Sequence, residues 1–275
     1  MHRLTTGDPA LDHAQIEFFR QQGYLVCRGL FQPDEVDALR QRFERLADGS
    51  EPAPAPGNWE GDRTATDPLA RHPRVMFPHR WDSLSLCWLL DPRVWDILRV
   101  ILEDEPVATQ SMFYFKPPGA RGQALHQDNF YLQVEPRSCI AVWIAIDPST
   151  PENGGLSVVP QTQDVAVACP ETADESVSFT DHLVVPPAGK EPLPLALQPG
   201  DTLFFNGNVI HGSGPNHSTS QWRRSFICHY MPAASRCISK AYFPLLNSAG
   251  EEVPCDISTS GGPCGTEFET ANYGA

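Results

Sequence analysis

The hydrophobic pattern of this 275-residue chain changes near residue 105. Before that point, apolar residues recur at helical spacing, and after it short apolar runs are separated by turns containing Pro and Gly. The runs are, in order, VATQSMFYFK, ALHQDNFYLQV, CIAVWIAID, GLSVVP, LPLALQ, DTLFFNGNVIHGS and RRSFICHYMP. Helices followed by many short strands predict an α+β, mainly β protein built on an antiparallel barrel or jelly roll.

Three helices are predicted in the first part of the chain. Asp12 is the expected N-cap of the first helix, which ends at Gly23. Pro33 opens the second helix, and Asp91 with Pro92 starts the third. We therefore expect a small helical layer against the strands.

We expect one domain over residues 1–275. Residues 49–80 are rich in Pro, Gly and Ala and show no periodicity, so they are expected to form a lid or substrate loop. Residues 247–275 are expected to form a C-terminal tail over the surface.

Charge and composition exclude several classes of partner. The formal net charge of −14 argues against a nucleic-acid substrate. No apolar run is long enough to span a membrane, and the N-terminus lacks a secretory h-region. We therefore expect a cytoplasmic protein whose eight scattered cysteines are free thiols.

One basic cluster stands out in this acidic chain, and it lies at the end of the 49–80 segment. Ordinary surface charge would explain it, whereas a pocket wall would make the small-molecule substrate anionic. The cluster consists of Arg71, His72, Arg74, His79 and Arg80.

A candidate metal site begins in the run ALHQDNFYL, which we interpret as a strand. Side chains alternate along a strand, so His126 and Asp128 are expected to point to one face. His211, 83 residues further on, is the best candidate for a third ligand. Two imidazoles and one carboxylate on one face of an octahedron are typical of non-haem Fe(II) oxygenases. Among the other histidines, which are expected to be structural or solvated, His229 is the alternative ligand.

An arginine that could bind a cosubstrate carboxylate follows His211 by 12 residues. Arg223 lies at the start of the last predicted strand, and Ser225 shares its face. The planar guanidinium binds a carboxylate in bidentate fashion, as the distal end of a 2-oxo dicarboxylate requires. Arg224 is expected to face the other way, into solvent.

Together, LHQDNFY, AVWIAID with PENGGLSVVP, GDTLFFNGNVIHGSGPN and WRRSF resemble the phytanoyl-CoA dioxygenase family of Fe(II)/2-oxoglutarate-dependent oxygenases. The resemblance covers about residues 12–245. It implies a double-stranded β-helix, also called a jelly roll or cupin-like fold, with N-terminal buttressing helices. It implies Fe(II), 2-oxoglutarate and O₂ as cofactors, with His126, Asp128 and His211 as the catalytic metal ligands. The cosubstrate contacts that it implies are Arg223, Ser225, Ser213, Trp143, Gln110 and, more weakly, Lys116.

The implied reaction hydroxylates an unactivated C–H bond of a small molecule and releases succinate and CO₂. Halogenases of this fold have a small residue in place of the carboxylate ligand, so Asp128 favours hydroxylation. For the substrate side we expect Asn129, Phe113, Tyr131 and the 49–80 loop. Two alternatives stay open, namely a cupin-like isomerase or zinc hydrolase with the same ligands, and a non-catalytic metal- or ligand-binding protein.

Overall fold

The structure is a computed structural model that describes residues 10–51, 61–136, 138–259 and 264. None of the helices within these ranges is long and apolar enough to cross a membrane. Two short 3₁₀ helices cover Pro78–Arg80 and Lys240–Tyr242. The α-helices are α1 (His13–Gln22), α2 (Pro33–Asp48), α3 (Pro68–Arg71), α4 (Ser83–Leu89), α5 (Pro92–Leu102) and α6 (Asn129–Leu132).

Strands are most numerous after residue 105, as the sequence predicts. They are β1 (Tyr24–Cys27), β2 (Val75–Met76), β3 (Pro106–Tyr114), β4 (Gln123–His126), β5 (Ile140–Ala145), β6 (Leu156–Val158), β7 (Glu171–Thr172), β8 (His182–Leu183), β9 (Leu193–Pro194), β10 (Thr202–Asn206), β11 (His211–Ser213), β12 (Ser225–Pro232), β13 (Cys237–Ile238), β14 (Leu245–Leu246), β15 (Glu252–Val253) and β16 (Asp256–Ile257).

Two antiparallel sheets organise the molecule. The larger has the order β1-β10-β5-β12-β3-β14-β15, with β2 also paired to β3, and the smaller has the order β4-β11-β6-β9. From β3 to β6, and again from β9 to β12, successive strands alternate between the two sheets. The protein is therefore a mixed α and β structure dominated by sheets, which confirms the coarse prediction.

The predicted helices form because their end signals are satisfied. The Asp12 carboxylate accepts a hydrogen bond from the Gln15 amide at 2.8 Å, and Gly23 ends α1 with a φ of 79°. Pro33 and Pro92 each occupy the first position of their helix. Helix α4 is not predicted from the sequence.

The 49–80 segment is more structured than its composition suggests. Its described part contains α3, β2 and one 3₁₀ helix, whereas residues 52–60 lie outside the described residues. Strand β2 pairs with β3, with Val75 opposite Phe113. The predicted C-terminal tail includes β15 and β16, and its residues 260–263 and 265–275 also lie outside the described part.

The helical layer packs on the outer face of the larger sheet. The ring of Phe43 in α2 stacks on Phe113 of β3 with centroids 3.9 Å apart, and both side chains are fully buried. Phe31 stacks on Trp88 of α4 in the same cluster. The prediction that Phe113 contacts substrate is therefore wrong, because strand alternation turns this ring toward the helices.

Arg224 is buried, so its expected exposure is wrong. Its Nε and Nη2 atoms donate to the two carboxylate oxygens of Asp147 at 2.6 and 3.0 Å. Its Nη1 pairs with Glu44 of α2. The side chain does face away from Arg223, but the helical layer covers that side of the sheet.

The cysteines depart from expectation at one pair. Cys169 and Cys264 form a disulfide, whereas the other six cysteines are free. The two partners are 95 residues apart in sequence, and nothing in their spacing indicates the pairing.

Candidate metal centre

Two antiparallel strands of the smaller sheet bring two histidines face to face. In the register of β4 with β11, His126 lies directly opposite His211. Their imidazole centroids are 4.2 Å apart, and both side chains are buried. Pairing across strands therefore joins ligands that are 85 residues apart in sequence.

The Asp128 carboxylate is not positioned by a strand, as predicted, but by a helical turn. Strand β4 ends at His126, and Asp128 has helical angles, φ −61° and ψ −35°, just before α6. The Asp128 carbonyl accepts hydrogen bonds from the amides of Tyr131 and Leu132, which closes a helical turn. The chain thus leaves the strand between the two ligands, and alternation within one strand does not explain their proximity.

The three predicted ligands nevertheless converge. Asp128 Oδ1 lies 3.4 Å from His126 Nε2 and 3.6 Å from His211 Nε2. One ligand atom from each residue falls within 4.8 Å of the others. This is the only such group of His, Cys, Asp or Glu side chains in the described part of the chain.

The protonation of these groups fits a metal ion. Nδ1 of His126 donates to the Ala124 carbonyl at 2.9 Å, and Nδ1 of His211 donates to that of Val209 at 3.0 Å. Each Nε2 is therefore left unprotonated and faces the carboxylate. Burial lowers the pKa of His211 to about 4, so its imidazole is neutral at pH 7.

The Asp128 carboxyl is ionised despite its burial. Burial alone raises its pKa, but its interactions with the surrounding histidines, His211, His229 and His126, hold that pKa well below the usual range. Two neutral imidazoles and one carboxylate are the donor set that suits Fe(II).

Two further side chains contact the ligands. His229 Nε2 lies 3.0 Å from Asp128 Oδ2, so this histidine contacts the carboxylate and lies outside the three-ligand group. The side-chain amide nitrogen of Gln123 lies 3.1 Å from His126 Nε2, which is the atom that would bind the metal. From the sequence, His229 is only an alternative ligand, and no sequence signal indicates Gln123.

A cavity of about 500 Å³ opens over these ligands. That volume suits a small molecule. The larger sheet contributes Gln110, Met112 and Tyr114 from β3, Trp143 from β5 and Ile227 from β12. Other lining residues, outside that sheet, are Arg74, Gln123, Tyr131, Leu132, Phe179, Thr180, Asp181, His182, Ser213, Arg223, Ser239, Ala241 and Tyr242.

Arg223 is a buried cation in this cavity. Its Nη1 donates to Ser225 Oγ at 3.1 Å, its Nε donates to the Gly154 carbonyl at 3.3 Å, and its Cζ lies 5.6 Å from the Trp143 ring centroid. Burial lowers its pKa to about 10, so it stays charged at neutral pH. Within the described residues, no carboxylate lies at ion-pairing distance from it.

The remaining predicted cosubstrate residues differ in their surroundings. Ser213 lines the cavity, and its Oγ accepts a hydrogen bond from Lys116 Nζ at 3.0 Å. Lys116 also donates to the carbonyls of Gly154 and Gly214, so its ammonium group is committed to the protein. Gln110 lines the cavity opposite His229 in the register of β3 with β12.

The predicted substrate residues are only partly placed at the cavity. Tyr131 lines it, and its hydroxyl is 3.0 Å from His182 Nδ1. Asn129 does not, because its side chain exchanges two hydrogen bonds with the Val134 backbone. Phe179 to His182 also line it, and no sequence signal predicts that this distant segment folds over β4.

Comparison with known proteins gives consistent matches. Residues 19–225 match the family model described as phytanoyl-CoA dioxygenase (PhyH). Phytanoyl-CoA dioxygenase 1 of Oryza sativa subsp. japonica is 26% identical over 239 residues, which cover 76% of this chain and 85% of the rice protein.

Solved structures share the fold at lower sequence identity. The crystal structure of EctD from S. alaskensis with 2-oxoglutarate and 5-hydroxyectoine superposes with a TM-score of 0.67 at 23% identity, covering 86% of this chain and 81% of that chain. The epimerase SnoN from nogalamycin biosynthesis, solved with Fe³⁺ and alpha-ketoglutarate, gives a TM-score of 0.61 at 20% identity, with coverages of 83% and 86%.

Proposed function

We propose a function for this chain, which belongs to the phytanoyl-CoA dioxygenase family. It is an Fe(II)- and 2-oxoglutarate-dependent dioxygenase that hydroxylates a C–H bond of a small molecule. His126, Asp128 and His211 hold the iron through two Nε2 atoms and one carboxylate oxygen. Their mutual proximity and the bonding of both Nδ1 atoms support this assignment.

Bound iron and 2-oxoglutarate would supply the oxidative chemistry, in which one O₂ would convert 2-oxoglutarate to succinate and CO₂ and the substrate C–H bond to C–OH. The protein binds, orients and shields the reactants. Trp143, Ile227 and Met112 give the cavity an apolar wall that excludes water from the reacting atoms. The intact Asp128 favours hydroxylation, because the carboxylate keeps its place among the ligands.

The observation that carries the proposal is that the buried guanidinium of Arg223, in the same cavity as the three ligands, has no carboxylate partner among the described residues. A buried charge without a partner is costly, so its retention indicates an anionic ligand. We assign it the distal carboxylate of 2-oxoglutarate, with Ser225 as a hydroxyl partner and Trp143 beside the guanidinium. A zinc hydrolase or an isomerase with the same ligands would not need this clamp.

We also propose that the two sheets form a double-stranded β-helix. Eight strands, β3 to β6 and β9 to β12, alternate between two facing antiparallel sheets, which supports a double-stranded β-helix. One domain spans the chain, with α2, α4 and α5 as buttressing helices. The described part of the 49–80 segment contributes to the wall of the substrate site, since Arg74 lines the cavity.

Anaerobic titration of the purified protein tests the two binding assignments separately. We expect the wild-type protein to bind Fe(II) and then 2-oxoglutarate, and to release succinate once oxygen and substrate are supplied. Asp128→Ala should abolish iron binding. Arg223→Ala should leave iron binding intact and weaken 2-oxoglutarate binding by about tenfold to a hundredfold, because a charge-assisted bidentate contact is lost.

Arg236→Ala is the matched control, since its side chain is 72% exposed and lies outside the cavity. It should bind iron and 2-oxoglutarate like the wild type. Wild-type 2-oxoglutarate affinity in Arg223→Ala would refute the clamp. A wild-type protein that takes up no Fe(II) would refute the enzyme and favour a non-catalytic binding protein.

A further inference from the structure

We infer that Arg74 is a second anion-binding residue, which anchors a carboxylate group of the substrate itself. The inference rests on the proposed function and specifies the substrate class of the same cavity. It concerns one member of the basic cluster at residues 71–80, because Arg74 is the member of that cluster that lines the cavity.

The guanidinium of Arg74 is held in place while most of its donors stay free. Its Cζ lies 4.8 Å from the ring centroid of Phe179 and 5.5 Å from that of Tyr114. Cation–π contacts use the charge of the guanidinium and none of its N–H donors, so they leave those donors available for hydrogen bonds. Its Nη1 donates to the Tyr114 hydroxyl at 3.1 Å, and no other hydrogen bond of its side chain occurs among the described residues.

No acidic group of the described cavity neutralises this cation. The cavity is lined by two carboxylates, Asp128 and Asp181. Asp128 faces the three histidines of the metal centre. Asp181 lies 3.6 Å from His182 and is not at ion-pairing distance from Arg74. The charge of Arg74 is therefore available to a ligand.

Arg74 and Arg223 serve different molecules because they lie on opposite sides of strand β3. Arg74 immediately precedes β2, which pairs with one edge of β3, whereas Arg223 leads into β12, which pairs with the other edge. Two strand spacings separate the two flanking backbones, which is about 10 Å. The pocket thus offers two cations for two separate anions, one on the cosubstrate and one on the substrate.

The surroundings of Arg74 define the rest of the substrate. Several aromatic and apolar residues line the same cavity as Arg74 and the metal centre, among them Met112, Leu132, Phe179 and Tyr242. The cavity of about 500 Å³ must also hold 2-oxoglutarate. A small amphipathic carboxylate, with its apolar body toward the metal, fits this distribution of charge and surface.

Matched pairs of probes test the assignment. Butanoate, hexanoate and octanoate would be titrated calorimetrically, each against its primary amide, into enzyme loaded with Fe(II) and saturating 2-oxoglutarate under nitrogen. In the wild type, we expect at least one carboxylate to bind about tenfold or more tightly than its amide. In Arg74→Gln that preference should vanish while 2-oxoglutarate affinity stays within about twofold of wild type. Arg71→Gln is the control, because this neighbouring arginine is exposed and outside the cavity.

The outcomes separate this inference from the proposed function. If no carboxylate is preferred over its amide in the wild type, the inference is wrong. It is also wrong if Arg74→Gln weakens 2-oxoglutarate binding instead, because Arg74 would then belong to the cosubstrate site, although the dioxygenase proposal would stand. A wild type that binds neither iron nor 2-oxoglutarate would overturn both. Partial retention of the preference in Arg74→Lys would support a charge contact.

Discussion

The imidazole of His229 contacts the carboxylate oxygen of Asp128 that does not face the other two histidines. Oδ1 of Asp128 lies toward His126 and His211, whereas Oδ2 is 3.0 Å from His229 Nε2. The two oxygens therefore have different partners, and His229 fixes the rotation of the carboxylate. Partners of this kind orient metal ligands and are worth about tenfold to a hundredfold in metal affinity.

We predict that His229→Ala lowers the affinity for Fe(II) by about tenfold to a hundredfold, because the Asp128 carboxylate loses its orienting contact. Competition with a calibrated chelator under nitrogen measures the change. His229→Gln should recover part of it by supplying an amide donor. The exposed His217 provides the control His217→Ala, and equal iron affinities in both alanine variants would show that His229 does not position the carboxylate.

At this scale the sequence predicts the chemistry of the site better than its geometry. The ligand types at 126, 128 and 211 and the arginine at 223 are readable from residue chemistry and spacing. The roles of His229 and Gln123 depend on side-chain distances across strands, which are not encoded in local spacing. Asn129 carries a polar side chain beside a ligand, yet it binds its own backbone turn.

The side chains of strand β3 alternate between the two faces of the larger sheet, one of which lines the cavity while the other packs against the helices. Gln110, Met112 and Tyr114 face the cavity, and the intervening Phe113 packs on the helical layer. Once Gln110 is assigned to the cosubstrate side, the period of two already turns Phe113 to the other face. Residues 110 and 113 are three positions apart on one strand, so the sequence itself indicates that Phe113 does not face the substrate.

We predict that Phe43→Ala lowers the free energy of unfolding by about 3–5 kcal/mol, because it removes a fully buried ring that stacks on Phe113. Urea denaturation measures the loss. Phe18→Ala on α1 is the control, since that ring is 42% exposed and should cost far less. Similar losses in the two variants would mean that α2 does not buttress the sheet.

Elements with strong end signals are predictable, and those formed by tertiary contacts are not. Helices α1, α2 and α5 have a capping residue or proline at the start and appear where predicted. Helix α4 has a capping aspartate, Asp82, but its apolar run SLSLCWL is too short for periodicity to identify. The end of β4 at His126 is likewise hidden, because α6 is a single turn.

At the scale of the whole molecule, both sheets line the cavity, and several titratable groups that are buried elsewhere have partners within the protein. His79 is such a group, and it lies outside the cavity lining. Its Nδ1 is 2.6 Å from the Ser111 hydroxyl, on the packing side of β3. Burial, together with the charge of Arg80, lowers the pKa of His79 to about 3, so the folded protein keeps this imidazole neutral far into the acid range.

This neutral histidine makes folding stability depend on pH. Below pH 6.5, the usual pKa of histidine, His79 is protonated in the unfolded chain but stays neutral in the folded protein. The free energy of unfolding therefore falls as the pH drops from 6.5 toward 3. From pH 7 to pH 5 this single group should cost about 2 kcal/mol. His79→Asn keeps a polar atom near the position of Nδ1 but cannot titrate. Urea denaturation of both proteins with a metal chelator present, at pH 7 and pH 5, should therefore show a smaller acid loss in the variant by about that amount. Equal losses in the two proteins would mean that His79 is protonated in the folded state, and that its contact with Ser111 does not keep it neutral.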